Sequence, residues 1–293
     1  MIPCNAVALE VSDTVVLRAT LNDVQRAVQC SLDHVGKAPY RTESCSQGDR
    51  SNWFGGYSLS EFNDLLRNGD STLVTDVLGD LDVQIADNAE HWQVRRAPMG
   101  FYPCIPAHLA GVPDSMYSLR SEESPQRKAI TLFYNVGFSS GTASATVEEY
   151  GRQVMLAINQ LHAERIDVSL YGYVYVGIGS SKKRHLTVIK VQSSEDVFTP
   201  ERIAATLPSS FCRRGVFGLW EHMAHEQNNK ACDRLIRTNY GRHDKKLDLA
   251  ALKEALPNID TDSIVLLPEV SEHVNPAHIW EPINLRLNRR TDQ

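Results

Sequence analysis

Three tyrosines and eight basic side chains are the residues of this chain whose types and spacing could do chemistry together. Tyr171, Tyr173 and Tyr175 alternate along Val168-Ser-Leu-Tyr-Gly-Tyr-Val-Tyr-Val176, and alternation along a strand sends all three to one face of a sheet. Such a row can serve as a stacking platform for unpaired bases, because every base has a π-face. It is also the pattern of a core edge, where each phenol finds a hydrogen-bond partner, and that is its commoner use. The turn that follows, Gly177-Ile-Gly-Ser-Ser-Lys-Lys-Arg-His185, carries Lys182, Lys183 and Arg184, three permanent charges able to contact backbone phosphates. Its glycines do not make a phosphate loop, which needs Gly-x-x-x-x-Gly-Lys-[Ser/Thr] ahead of a helix. An alternating strand, Leu186-Thr-Val-Ile-Lys-Val191, follows instead, so the turn reads as the tip of a β-hairpin. Arg213 and Arg214 form a second basic cluster, and Arg242, Lys245 and Lys246 a third. A protein that bound single-stranded nucleic acid would stack bases on the tyrosines and neutralise phosphates with these cations. Charge runs are more often solvated faces.

Other constellations are weaker. Glu221-His-Met-Ala-His225-Glu226 places two histidines three residues apart on one helical face, with Cys212 and Cys232 on either side. The zincin pattern His-Glu-x-x-His is absent, and a lone histidine pair more often belongs to a partly exposed surface than to a metal. The six cysteines are scattered without a Cys-x-x-Cys pair, which favours free thiols in a reducing compartment. The chain offers no Gly-x-Ser-x-Gly elbow, no phosphate loop and no metal triad, so binding is expected rather than catalysis, with no cofactor and no metal.

The elements that must position these residues centre on Lys128–Val191, which reads strand, helix, strand, strand. The first strand is Ala129-Ile-Thr-Leu-Phe-Tyr-Asn135. In the helix that follows, Val147, Gly151, Val154, Ile158 and Leu161 recur at steps of four and three and share one face, which a sheet must cover. Val168–Val176 is apolar on both faces, as a central strand requires, and completes a βαβ unit. Upstream, Thr20–Cys30 has helical spacing with Thr20 or Asn22 as a cap, and Ser58-Leu-Ser-Glu61 is a capping box opening a helix that Asn68-Gly69 stops. Thr199 and Pro200 open a short helix. The prolines between Ala97 and Pro113 predict an irregular segment laid against the sheet. Asp248–Leu256 reads as a helix with Leu249, Leu252 and Leu256 inward, Ser263–Pro268 as a last buried strand, and the remainder to Gln293 as a surface tail or partner-binding arm.

Two resemblances follow from these motifs. Trp53-Phe-Gly-Gly-Tyr-Ser58 with its helix, Leu109-Ala-Gly-Val-Pro113, and the strand ending in Tyr134-Asn-Val136 before a Ser/Gly loop and long helix together resemble a family of uncharacterised phage and prophage proteins, from about Trp53 through Pro268. That resemblance implies a viral or mobile-element origin. The strand, loop and helix also resemble the opening of a von Willebrand A-type domain, which places Asp-x-Ser-x-Ser around a divalent cation. Here Asn135-Val-Gly-Phe-Ser139 replaces the aspartate with an amide and the first serine with glycine, so a metal would lose its charged ligand. A metal-free domain of this kind implies an adaptor or virion component that presents the loop end of its sheet.

The expected architecture is therefore α/β: a three-layer Rossmann-like or von Willebrand A-like sheet with helices on both faces over residues 51–293, preceded by an N-terminal extension and linker over 1–50. A net charge of −6 argues against a wholly polyanion-binding surface. No apolar run approaches the roughly 20 residues that span a bilayer, and the N-terminus lacks the regions of a signal peptide, which predicts a cytosolic protein without membrane contact. The resemblance to phage and prophage proteins implies that this is the bacterial host cytoplasm, or a virion. The expected function is a phage accessory protein that binds single-stranded nucleic acid through Tyr171, Tyr173, Tyr175, Lys182, Lys183, Arg184, Arg213, Arg214, Arg242, Lys245 and Lys246. The other expectation is an adaptor or virion component whose partner is a viral or host protein.

Overall fold

The structure is a computed structural model that describes residues 5–11, 13–34, 54–78, 92–97, 102–113, 115–121, 129–138, 141–178, 183–238, 240, 247, 252–253, 256–257, 259, 263–270 and 276–289. Strand β6 (Ala129–Asn135) lies inside a six-stranded sheet with β1 (Val7–Val11), β2 (Thr14–Thr20), β7 (Asp167–Gly177), β8 (Arg184–Gln192) and β9 (Ile264–Leu266), in the order β1-β2-β8-β7-β6-β9. Pairs β2–β8, β7–β6 and β6–β9 are parallel; the hairpins β1–β2 and β7–β8 are antiparallel. The chain is thus mixed α/β with a central, mostly parallel sheet flanked by helices.

Residues 7–33, expected as an extension, are integral to this sheet. β2 pairs along its whole length with β8, Val16 opposite Leu186, and helix α1 (Leu21–Asp33) buries Val24, Ala27 and Val28 beneath it. Thr20 starts α1 through a reciprocal box: the Asp23 N–H donates to Thr20 Oγ1 (3.3 Å) and the Thr20 N–H to Asp23 Oδ2 (2.9 Å). Asp23 also accepts the Asn5 N–H at 2.9 Å, which ties the approach to β1 onto the same helix end.

The long helix α5 (Ser144–Ala163) covers the first face of the sheet. All five residues of its anticipated apolar stripe, Val147, Gly151, Val154, Ile158 and Leu161, are buried, because a 3.6-residue period can hold only one stripe against a flat sheet. Helix α6 (Pro200–Ala204), a π-helical turn at Phe211–Val216 and helix α7 (Phe217–Glu226) cover the same face, and every residue from Phe211 to Ala224 is buried. Thr199 does not cap α6 through its side chain; its hydroxyl donates to the Val197 carbonyl at 3.2 Å. Helix α8 (Lys230–Arg237) packs on α7. The C-terminal stretch, expected as a tail, is a helix over Pro276–Arg289 that packs on α5 and β9 with Ile279 and Ile283 buried.

The second face carries a smaller core of Val16, Phe133, Tyr173, Leu186 and Val188, closed by Leu247 and Leu252. Between the two halves of the main sheet in sequence lies a second, three-stranded sheet of β3 (Trp92–Ala97), β4 (Tyr102–Pro103) and β5 (Met116–Ser121), with the short helix α4 (Ile105–Leu109). The proline-rich segment expected to be irregular therefore holds strand pairs, because Pro103 sits at the end of the two-residue β4, where the ladder asks little of its missing N–H.

Helix α2 (Leu59–Asn68) has the anticipated Ser58/Glu61 box and ends at Gly69, whose φ of 81° and ψ of 173° are essentially a glycine-only conformation. A Cβ there would also stand 2.5 Å from the Cβ of Glu201 on α6. Gly69→Ala is expected to cost about 2–4 kcal/mol, strain and overpacking together, read as a lower urea midpoint at unchanged m. A midpoint shift equivalent to less than about 1 kcal/mol would show that the α2–α6 junction can open without loss.

Candidate functional site

A cleft of about 450 Å³ opens where α5 begins, and α5 begins beyond the carboxyl end of β6. One wall is the first two turns of α5, with Glu148, Glu149 and Arg152; the facing wall is helix α3 (Ser71–Leu78) with the preceding Asp70, contributing Asp70 and Asp76. Tyr57 and the pair Leu207–Pro208 close it. Among the described lining residues, four carboxylates thus face one guanidinium.

These side chains are differently committed. Asp70 is buried and caps α3, accepting the Leu73 N–H at 2.9 Å, while its own N–H donates to the Glu201 carbonyl at 2.9 Å. Glu149 accepts from Gln153 Nε2 at 2.6 Å and lies 3.8 Å from Arg152 Nε, so the one cation is shared locally. Asp76 and Glu148 are exposed, and no hydrogen bond or ion pair with a described residue engages them. Burial, then the charges of Asp70, Glu148 and Glu61, push the Tyr57 phenol up, so it stays protonated and can donate.

The floor is rigid. Tyr134 at the end of β6 donates its hydroxyl to Thr206 Oγ1, and Thr206 donates to the Ile203 carbonyl at 2.7 Å. Asn135 Oδ1 accepts the Gly137 N–H at 2.8 Å, which closes a side-chain turn directly after the strand. Its amide oxygen, at the position where the von Willebrand-type motif has its aspartate, is thereby used within the turn.

The expected nucleic-acid residues are dispersed. Tyr171, Tyr173 and Tyr175 do share the second face. Tyr173 is only 3% exposed beneath the cover of Leu247 and Leu252, so its ring packs in a core and offers no face for stacking. Tyr171 is half-buried and stacked on Phe133 with centroids 5.0 Å apart; Tyr175 is half-buried as well. Arg213 and Arg214 lie in the π-helical turn on the opposite face and are buried. Arg213 sits over the Phe138 ring at 4.8 Å; Arg214 sits over Phe54 at 3.9 Å and donates its Nε–H to the Tyr57 carbonyl at 3.0 Å. They brace the site's scaffold and cannot join the tyrosines in one ligand contact. Lys183 is exposed and Arg184 partly so at the start of β8, where the Ile178 N–H donates to the Lys183 carbonyl (3.1 Å) across the hairpin. Lys182, Arg242, Lys245 and Lys246 lie outside the described residues.

Glu221 is buried and accepts the Tyr240 hydroxyl, and burial lowers the pKa of the neighbouring His222. Among the described residues no group of three or more His, Cys, Asp and Glu side chains is placed to hold a metal ion. Cys212 and Cys232 are free thiols, and burial pushes both up to about 12. No described helix is long and apolar enough to cross a membrane.

The chain is a mixed α/β fold whose acidic cleft lies between α3 and the first turns of α5. The chain belongs to the family described as Domain of unknown function (DUF7192), whose model matches residues 9–288. That match begins within β1, as expected if the first two strands are part of the common sheet. No curated protein and no solved structure matches the chain.

The acidic residues were not singled out from sequence. Glu148 and Glu149 lie in the helix after β6, and Asp70 stands before Ser-Thr in a capping position, but no spacing joins segments about 75 residues apart.

Proposed function

We propose that this protein acts by binding a partner protein, as an adaptor or structural component, and that its cleft takes a basic segment of that partner. The observation that carries this is the convergence of Asp70, Asp76, Glu148 and Glu149 on one cleft, with Arg152 the only cation among the described lining residues. Open α/β sheets bind their ligands near the carboxyl ends of the strands, and this cleft is built on the first turns of the helix that follows β6. Its charge would steer a lysine- or arginine-bearing segment inward and repel phosphates. The resemblance to phage and prophage proteins supports a viral setting, in the host cytoplasm or in a virion. The likeness of the strand, loop and helix to a metal-free von Willebrand A-like domain supports presentation of this end of the sheet to a protein.

A second reading, single-stranded nucleic acid, draws on the second face. Lys190 is exposed directly opposite Tyr171 in the β7–β8 register, and Arg18 on β2 lies opposite Val188 on the same face. With Lys183 and Arg184 these cations rim the covered tyrosines, and phosphates could follow that rim.

Fluorescence anisotropy with a labelled lysine- and arginine-rich peptide, and separately with a labelled single-stranded oligonucleotide, tests both across a salt series. The peptide is expected to bind, and Asp76→Asn with Glu148→Gln to weaken it roughly tenfold, about 1.4 kcal/mol. Peptide affinity untouched by the double amide variant would remove the cleft from the interface. An oligonucleotide held more tightly than the peptide, with a salt slope flattened by Lys183→Ala and Lys190→Ala, would put the second reading first.

A further inference from the structure

Strand β1 stands at one end of the sheet, and none of the described strands pairs with its outer edge. Its sequence, Val7-Ala-Leu-Glu-Val11, contains no proline or lysine, and Glu10 is the single charge that could blunt the edge. Val7 and Leu9 are 48% and 38% exposed, unusual for apolar residues side by side on one face of a strand.

The register decides what that edge offers. Val11 faces Thr14 across a connection of two residues, and the pair closing such a hairpin is hydrogen-bonded to itself. Hydrogen-bonded and non-hydrogen-bonded pairs alternate along an antiparallel ladder. The backbone groups of Val7, Leu9 and Val11 therefore turn toward β2, and the N–H and C=O of Ala8 and Glu10 turn outward.

We propose that this edge pairs with β1 of a second copy of the chain, antiparallel and centred on Leu9, joining two six-stranded sheets into one. In that register Ala8 of each copy exchanges backbone hydrogen bonds with Glu10 of the other. The two Leu9 residues form the central non-hydrogen-bonded pair, where side chains approach most closely. The exposed side chains of Val7 and Leu9 from the two copies then lie along one face about the two-fold axis, so each copy covers apolar surface of the other. Each Glu10 side chain lies opposite an alanine; centring the pair on Glu10 would oppose two carboxylates, which is unfavourable. A strand that is self-complementary about its own middle residue suits a two-fold interface, in which the same patch serves both subunits.

Sedimentation equilibrium of the full chain over a concentration series tests this. The mass is expected to rise from one chain to two with concentration. Leu9→Lys, which sets two ammonium groups face to face, is expected to raise the dissociation constant at least tenfold. Glu10→Pro removes an outward N–H without touching the β1–β2 ladder and is expected to do the same, with the far-ultraviolet circular dichroism of the parent chain retained in whichever variant is scored. A single-chain mass at every concentration overturns the proposal, as does a dimer that survives both variants.

Discussion

Trp220→Ala is expected to lower the free energy of unfolding by about 3–5 kcal/mol, the range for emptying a fully buried large aromatic position. Trp220 on α7 is 0% exposed and fills the space between that helix and β8. Its ring stacks on Phe217 at 5.3 Å and meets the edge of His185 at 5.5 Å, while its Nε1–H donates to Thr187 Oγ1 at 2.8 Å. Alanine would leave a cavity that the buried π-helical turn and α1, both packed on α7 or on each other, cannot collapse into without moving. Against a typical total of about 5–15 kcal/mol, the loss would be a large share of the protein's stability. Urea titration followed by circular dichroism measures it. Trp220→Phe should cost less, since it keeps most of the volume and loses one hydrogen bond of about 1 kcal/mol. A Trp220→Ala loss below about 1 kcal/mol would mean that α7 is not seated on the sheet in solution.

Acid should weaken the fold through His185, and replacing that residue should remove much of the effect. His185 is fully buried on β8, its Nε2 has no hydrogen-bond partner, and its Nδ1 lies 3.3 Å from Thr187 Oγ1. Burial pushes its pKa down to about 3, because the imidazolium would lose its hydration without gaining a counter-charge. The unfolded chain titrates near 6.5. Between roughly pH 6.5 and 3 the unfolded state binds a proton that the native state refuses, so stability falls as pH falls through that window and is complete above it. At pH 4.5 the deficit relative to pH 7.5 should be about 2–3 kcal/mol from this group. His185→Phe, which keeps a ring beside Trp220, should flatten the difference between urea midpoints at the two pH values by that amount. An equal pH dependence in the variant and the parent would assign the acid sensitivity to other groups.

Local structure was legible where local rules suffice. The bounds of β6 coincide with Ala129–Asn135, the Ser58/Glu61 and Thr20 caps form as their spacing implies, and the strands on either side of the basic turn, β7 and β8, pair antiparallel. Each depends on residues within a few positions of one another. Legibility failed where partners are remote. β2 is placed beside β8 by burial of Val16 against Leu186, residues about 170 positions apart, and nothing within residues 7–33 announces it. Arg213 and Arg214 have the composition of a surface cluster, yet the rings of Phe138 and Phe54 and the Tyr57 carbonyl lie beneath them.

The sequence by itself determined the alternations and stripes, hence the βαβ unit, the stop at Gly69 and the shared face of Tyr171, Tyr173 and Tyr175. Periodicity says which side chains point the same way, but not what will lie over them. Only the tertiary structure decided that Leu247 and Leu252 cover Tyr173, that the first strands complete the sheet, and that carboxylates from α5 and from the start of α3 meet across one cleft. The physical reason is that burial and electrostatic convergence are properties of packed pairs. Asp76 and Glu148 acquire their common field only when α3 and α5, separate in sequence, are packed against each other.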